Sequence, residues 1–293
     1  MKKFFDEKTL SEIKKYESEP QVISNFLTKN ECEEILKVKE NLKTVLVNRE
    51  ESTKISFKFK DSQLFTDLKK KLEKVLGKFY VNDFDPHFTT SRFPLRCHVD
   101  TGKDPTDVIH KNIVLPLEIN SLKSKKPNTI VFKNRWYYQS AFFTTKTSGN
   151  NDHIIKDMND KFVDIIDIHK FKNFLSQNKK DQIVEYSEGK FKITDALLKN
   201  VDTLSKTKRY NLRTDEHIIN KNNFDVNLYK KYMSHQPYED LQSLEIFKAL
   251  EWNVGDLIFW DRTLIHASDN FLKNDIESKT FIAIFSSKTN REV

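Results

Sequence analysis

The sequence predicts an α+β protein with a mainly β core, either a sandwich or a jelly roll, flanked by N-terminal helices and interrupted by a large, partly helical insertion. Three observations predict this class. Amphipathic helical patterns occupy residues 1–78. Short segments rich in β-branched and aromatic residues fill 79–145 and return over 250–293, as in sandwiches and jelly rolls. Residues 146–249 are instead rich in Lys, Asp and Asn, so we expect one domain over 1–293 with an insertion between two β-rich halves.

The composition narrows the range of functions. A chain of 293 residues with 37% hydrophobic and 32% charged residues is typical of a globular protein with a substantial core. With only 5 Gly, and neither a GxGxxG nor a GxxxxGK[ST] pattern, the sequence lacks the phosphate-binding loops of common nucleotide folds. The net charge of +7 permits a nucleic-acid partner without requiring one, because the Lys residues are scattered among acidic neighbours.

The cysteine content and the N-terminal segment predict where the protein acts. Cys32 and Cys97 are too few for a disulfide framework or a zinc ribbon. The first residues lack the apolar core of a signal peptide, and no apolar run approaches the ~18 residues of a membrane span. We therefore expect a cytoplasmic protein without a membrane partner.

Two helices are predicted in the N-terminal region, where they would buttress a sheet. Thr28 and Glu31 fit a capping box at the start of the first helix. The second helix is predicted over 62–76 and ends at Gly77. Its apolar positions recur at helical spacing and are Leu64, Leu68, Leu72 and Val75.

Strands are predicted where β-branched and aromatic residues cluster between turn-forming residues. The candidates are Phe79–Val81, His87–Thr90, Arg96–Asp100, Asn112–Leu117, Thr129–Phe132, Ser140–Thr144, Asp256–Trp260 and Thr280–Ser286. Within the insertion, 167–177 and 238–249 have helix-like patterns.

The first chemical signal is His98-Val99-Asp100 at the end of a predicted strand. Side chains at positions i and i+2 of a strand point to the same face, so His98 and Asp100 could share a metal ion. An isolated pair of this kind is weak evidence, because a surface His near an Asp occurs often by chance.

Two later residues strengthen the signal. His266 follows the Gly255-Asp256 turn and an apolar run, and a jelly roll would bring this late segment beside the early strand. Lys279 begins an alternating strand and shares a face with Phe281, Ala283 and Phe285. A cation on an apolar face is costly without an anionic partner, although a lysine at the rim could also extend to solvent.

In order and type, these four residues resemble the Fe(II)/2-oxoglutarate-dependent oxygenase superfamily, whose pattern is HxD, a distant His and then an Arg or Lys. The segment 25–32 is similar to the helical opening of prolyl-hydroxylase-like members. Residues 98–104 and 259–268 resemble members from marine bacteria and their phages. The resemblance covers the β halves and the N-terminal helix but not the insertion, which accounts for the unusually long separation of His98 and His266.

The resemblance implies a double-stranded β-helix in which His98, Asp100 and His266 are both metal ligands and catalytic residues. Two imidazoles and one carboxylate leave three open positions on an octahedral Fe(II), which the cosubstrate 2-oxoglutarate and O₂ would share. Lys279 would bind the distal carboxylate of 2-oxoglutarate. The implied activity is a dioxygenase that hydroxylates a substrate and releases succinate and CO₂.

Two other classes of function fit the same residues. One is a jelly-roll binding module without turnover, and the other is a metal-dependent hydrolase or isomerase on the same barrel, in which Lys279 would have no role. The sequence does not indicate the substrate, which could be a small molecule, a protein side chain or a nucleobase. We expect the insertion to act as a lid over the site, with decoration of the outer sheet as the alternative.

Overall fold

The fold, taken from a computed structural model, combines α-helices with antiparallel β-sheets. The structure describes residues 5–41, 47–48, 52–56, 62–81, 86–137, 140–142, 154–156, 162–164, 168–186, 189–195, 198, 224–241 and 244–290. None of the helices in these ranges has both the length and the apolar character needed to cross a bilayer.

The N-terminal region contains the predicted helices and one more. The helices are α1 Glu7–Lys15, α2 Lys29–Asn41 and α3 Gln63–Leu76, and a fourth, α4 Ile168–Ser176, lies in the insertion. The capping box at α2 is confirmed, since Thr28 N–H donates to Glu31 and Glu31 N–H donates to the Thr28 hydroxyl. Gly77 ends α3 with a positive φ of 67°, a conformation that favours glycine.

Most of the strands are short, and the two longest have 13 and 12 residues. In chain order they are β1 Gln21–Ile23, β2 Val47–Asn48, β3 Ser52–Ser56, β4 Tyr80–Val81, β5 His87–Ser91, β6 His98–Val99, β7 Ile109–Ser121, β8 Asn128–Arg135, β9 Ala141–Phe142, β10 Ile154–Lys156, β11 Phe162–Asp164, β12 Ile183–Tyr186, β13 Gly189–Lys192, β14 Ile246–Glu251, β15 Leu257–Asp261, β16 Leu264–Ser268 and β17 Ile276–Ser287.

These strands form three antiparallel sheets within the described ranges. The eight-stranded sheet has the order β1-β15-β7-β17-β5-β3-β2, with β4 also pairing to β17. The five-stranded sheet has the order β14-β8-β16-β6-β9, and a four-stranded sheet within the insertion has the order β11-β10-β12-β13. Apart from β2, β3 and β5, most neighbours in the two larger sheets are distant in sequence, and residues 80–142 lie beside residues 246–287.

The inner faces of the two larger sheets pack against each other. Alternation along β7 places Val114 inward and Ile113 outward, and the same rule applies to Ile258 and Leu257 on β15. The inward residues join one apolar cluster with residues of the five-stranded sheet, namely Val131, Leu250, Trp252 and Leu264. The space between the sheets is therefore where inward-facing polar side chains meet.

Helices α2 and α3 cover the outer face of the eight-stranded sheet. Leu68 and Leu72 of α3 are buried there with Ile35 of α2, so the two helices buttress the sheet as the sequence predicts. The predicted apolar face of α3 is shifted, because Phe65 is buried whereas Val75 is 41% exposed.

Part of the insertion packs on the outer face of the five-stranded sheet. Phe171 and Phe174 of α4, with Phe224 and Met233, share one cluster with the outward-facing residues Ile130 and Ile265. These residues lie where decoration of the outer sheet would place them. The lid role of the insertion stays a prediction.

Several sequence predictions are wrong in detail. Residues 238–249 do not form one helix, because Tyr238–Leu241 is a 3₁₀ turn and Ile246–Glu251 forms β14, which pairs with β8. The N-terminal region is not purely helical either, since it contains strands and β1 pairs with β15. Of the predicted strand Ser140–Thr144, only residues 141–142 are seen as a strand, and 143–144 lie outside the described residues.

A buried ion network ties the segment after α1 to both larger sheets. Lys111 donates to Asp261, and Arg135 lies 2.8 Å from the other oxygen of the same carboxylate. The Lys111 ammonium also donates to Tyr16 O and to the Ser18 hydroxyl, both at 2.8 Å. Asp261 therefore neutralises two cations at a position that is only 3% exposed.

We expect Asp261→Asn to lower the free energy of unfolding by about 3–5 kcal/mol, because it leaves Lys111 buried without a counter-charge. Urea denaturation would measure the change. The matched control is Asp275→Asn, which removes an exposed ion pair with Lys123 and should cost less than about 1 kcal/mol. Equal losses in the two variants would contradict a stabilising role for the buried network.

Candidate metal centre

The two histidines predicted from the sequence lie side by side on neighbouring strands. His98 of β6 is paired directly with His266 of β16, and the centroids of the two rings are 4.1 Å apart. His266 lies within strand β16, a strand that the sequence analysis did not predict. Asp100 follows two residues after His98, which brings its carboxylate to the same inward face.

The hydrogen bonds of the imidazoles determine which ring nitrogen is available to bind a metal. His98 Nδ1 is 2.7 Å from Arg96 O, and His266 Nδ1 is 3.0 Å from Leu264 O. A carbonyl oxygen only accepts, so each Nδ1 carries the hydrogen and each Nε2 is left with a lone pair. Backbone partners of this kind orient metal-binding histidines in known metal sites.

The Nε2 atoms of the two histidines converge on Asp100. Asp100 Oδ2 is 3.6 Å from His98 Nε2 and 3.1 Å from His266 Nε2, and the three ligand atoms all lie within 4.8 Å of one another. Two neutral imidazoles and a carboxylate on one side of a point form the donor set of non-haem Fe(II) enzymes. The three residues therefore fit a divalent metal, and they are the group within the described ranges that could hold one.

The surroundings of Asp100 keep its carboxylate charged. Burial alone would raise the pKa of Asp100, but in the metal-free protein the positive charge of the His98 and His266 imidazoles when they are protonated, together with that of Arg262, outweighs this effect and holds the pKa below its usual range. Asn112 adds a donor, with Nδ2 at 3.4 Å from Asp100 Oδ2. An ionised carboxylate is the form that binds a metal.

Arg262 fixes the backbone of Asp100 from the turn between β15 and β16. Its Nε donates to Asp100 O at 2.7 Å, and its Nη1 donates to Ser286 O at 3.3 Å. Nη1 also lies 3.8 Å from the buried carboxylate of Asp107. The guanidinium is 1% exposed, and its hydrogen bonds connect β17 to the segment that carries Asp100.

Lys279 is buried among aromatic rings at the other end of the interior. Its ammonium is 3.2 Å from the Ser268 hydroxyl, 4.0 Å from the centroid of Trp252 and 5.0 Å from that of Phe271. The side chain is 2% exposed, so it does not extend to solvent as a rim lysine would. Burial lowers the pKa of Lys279 to about 8, and Asp269 partly opposes this shift.

The buried ammonium of Lys279 would be stabilised by a bound anion. Within the described ranges, no carboxylate forms an ion pair with it inside 4.0 Å. Ser268, its hydrogen-bond partner, lies two residues after His266 on β16, so the two side chains share a face with their Cα atoms about 7 Å apart. The Ser268 hydroxyl therefore connects the Lys279 ammonium to the strand that carries His266.

The sequence analysis missed three polar groups of the interior. Trp260 Nε1, Asn112 Oδ1 and Thr89 Oγ1 are buried without a hydrogen-bond partner among the described residues. The Trp260 ring centroid is 4.8 Å from that of His266, and Asn112 pairs with Trp260 across β7 and β15. Strand alternation from the inward-facing residues of β7 and β15 would have found two of them.

Comparison with known proteins leaves the family open. No protein-family model matches the chain, and no curated protein matches it. Among solved structures, the chain is similar to HygX from Streptomyces hygroscopicus with nickel and 2-oxoglutarate bound, at 10% sequence identity and a TM-score of 0.44. The match covers 97% of this chain and 88% of that chain. With a TM-score below 0.5, this likeness does not define the fold or the function of the present chain.

Proposed function

We propose that this protein is an Fe(II)- and 2-oxoglutarate-dependent dioxygenase, a prolyl-hydroxylase-like member of that superfamily with a jelly-roll core, which hydroxylates its substrate and releases succinate and CO₂. The observation that carries the proposal is the convergence of His98, Asp100 and His266 on one point, with Lys279 buried in the same interior. The donor set accounts for the metal, and the buried cation accounts for the cosubstrate.

Each residue has a defined role in this proposal. His98, Asp100 and His266 would hold Fe(II) through two Nε2 atoms and one carboxylate oxygen. The bound metal and cosubstrate would supply the oxidising chemistry with O₂. Lys279 and Ser268 would bind the distal carboxylate of 2-oxoglutarate, and the rings of Trp252 and Phe271 would exclude water from this pair.

Lys279 also separates the proposal from its alternatives. A metal-dependent hydrolase or isomerase needs the metal ligands but has no use for an ammonium in an aromatic pocket. A binding module without turnover would not need the metal. Keeping a charged lysine buried costs free energy of folding, as its lowered pKa shows, and a ligand carboxylate would offset that cost.

The experiment that tests the function is succinate formation. The purified protein, loaded anaerobically with Fe(II) and 2-oxoglutarate, should form succinate after O₂ is admitted, slowly alone and faster with its substrate. Omission of either Fe(II) or 2-oxoglutarate should abolish the product. The absence of succinate across a panel of small molecules, peptides and oligonucleotides would favour the binding module. Metal-dependent turnover without 2-oxoglutarate would favour a hydrolase or isomerase.

The substrate and the compartment belong to the same proposal. Small molecules, protein side chains and nucleobases are all candidate substrates, and nucleic acid is permitted by the net charge of +7. A steep salt dependence of binding would mark a nucleic-acid substrate. Cys32 and Cys97 are buried and are not joined in a disulfide, in keeping with the reducing cytoplasm that we propose as the location of the protein.

A further inference from the structure

One segment of the insertion contacts the strand that carries His98. This segment, residues 229–236, is called the clamp here; it begins with the π-helical turn Tyr229–Met233 and ends at Gln236. Short π-helical turns are rare and often occur near functional sites. Gln236 itself is 3% exposed, which is unusual for an amide side chain, so its hydrogen bonds are important to the local structure.

Gln236 binds the residue immediately before His98. Its Oε1 accepts the backbone N–H of Cys97 at 3.0 Å, and its Nε2 donates to Cys97 Sγ at 3.2 Å. One side chain of the insertion thus satisfies both polar groups that Cys97 presents on that side. The backbone of Gln236 is held in turn, with its N–H donating to Met233 O and its carbonyl accepting from the Tyr229 hydroxyl.

The clamp also holds the connection between β16 and β17. Asn270 N–H donates to Tyr232 O at 2.6 Å, and Asn270 Nδ2 donates to the Ser234 hydroxyl at 2.9 Å. That connection lies between His266 and Lys279. The clamp therefore touches both segments that carry the candidate site: the β6 strand through Gln236 and the β16–β17 connection through Asn270.

Strand β6 needs such external support because it is very short. It comprises only His98 and Val99, with β16 on one side and the two-residue edge strand β9 on the other. A strand of two residues has few ladder hydrogen bonds to fix its position, and displacements well below 1 Å matter for metal geometry. Cys97 lies immediately before this strand, and its N–H donates to the side-chain oxygen Oε1 of Gln236.

We propose that Gln236 is a positioning residue that, from within the insertion, fixes the β6 strand and so sets the position of His98 relative to Asp100 and His266. This inference rests on the proposed function, since it assigns the insertion a role in building the metal centre. It gives the insertion a structural task at the site through a contact on the outer side of the five-stranded sheet.

Two variants of Gln236 and one control test the inference. Gln236→Met keeps the size of the side chain and removes both hydrogen bonds, whereas Gln236→Glu keeps the acceptor for the Cys97 N–H. The matched control is Gln182→Met: Gln182 also accepts a backbone N–H, that of Lys179 at 3.0 Å, but within the insertion. The readouts are Co(II) affinity, the visible absorption bands of bound Co(II), and hydrogen exchange of the Cys97 amide in metal-free protein.

We expect Gln236→Met to weaken Co(II) binding about tenfold or more, to shift the Co(II) bands and to speed exchange of the Cys97 amide. Gln236→Glu should keep most of the protection of that amide and most of the affinity, and Gln182→Met should change neither. Faster Cys97 exchange with wild-type Co(II) affinity and bands in Gln236→Met would overturn the inference and leave the proposed function intact. A wild-type protein that binds no Co(II) would instead overturn the proposed function, and the inference with it.

Discussion

Replacing both His98 and His266 by Ala should abolish binding of Fe(II) and of its substitutes Co(II), Ni(II) and Mn(II), and either change alone should weaken it by about two orders of magnitude or more. The reason is geometric. The two Nε2 atoms and the Asp100 carboxylate are the donors that converge within 4.8 Å. A single carboxylate that competes with water for the ion binds divalent transition metals weakly. Anaerobic calorimetry with Fe(II), or absorption titration with Co(II), would measure the loss.

The control for this experiment is His169→Ala, which removes an exposed imidazole of helix α4 in the insertion. It should bind metal as the wild-type protein does. Undiminished metal affinity in the double variant would show that the three residues are not the ligands.

The faces that the candidate site residues share were easier to predict from the sequence than the contacts that support those residues. His98 and Asp100 could be paired from strand alternation alone, and Lys279 could be placed on one face with Phe281, which also contacts Trp252 in the structure. These predictions succeed because strand periodicity is local. The pairing of His98 with His266 depends on which strands become neighbours, and only the resemblance to a family indicated it.

Other features could not be predicted because they depend on long-range packing. Residues 246–251 have a pattern compatible with a helix, yet they form β14 because the edge of β8 offers a partner. The role of Gln236 depends on a contact with Cys97, far away in sequence. The bond from Arg262 to the backbone of Asp100 also depends on packing between segments that are distant in sequence, and it is shorter than the 3.8 Å between Arg262 and the Asp107 carboxylate.

Replacing Lys279 by Met should raise the Kd for 2-oxoglutarate by about one to three orders of magnitude, because the distal carboxylate would be desolvated without a partner. Metal binding should survive, since Lys279 is not among the converging donors. The matched control is Lys288→Met, which removes a cation just beyond the other end of β17 that is bound to Leu76 O and Lys78 O. Lys288→Met should leave the affinity unchanged, and unchanged affinity in Lys279→Met would assign the carboxylate to another cation, with Lys273 and Arg262 as candidates.

The pH dependence of cosubstrate binding gives an independent check on Lys279, whose pKa burial lowers to about 8. The ligand carboxylate binds the protonated lysine, so affinity should be nearly constant below pH 7 and about tenfold weaker at pH 9. Of the facing groups, burial lowers the pKa of His235 to about 4, which is outside this range, and burial raises the pKa of Asp269 above its usual range. Because the folded pKa lies below the ordinary 10.5, the unfolded chain binds more protons between pH 8 and 10.5, and stability should rise with pH there. Lys279→Met should lose both effects, and a wild-type affinity that stays flat from pH 7 to 9 would contradict the assignment.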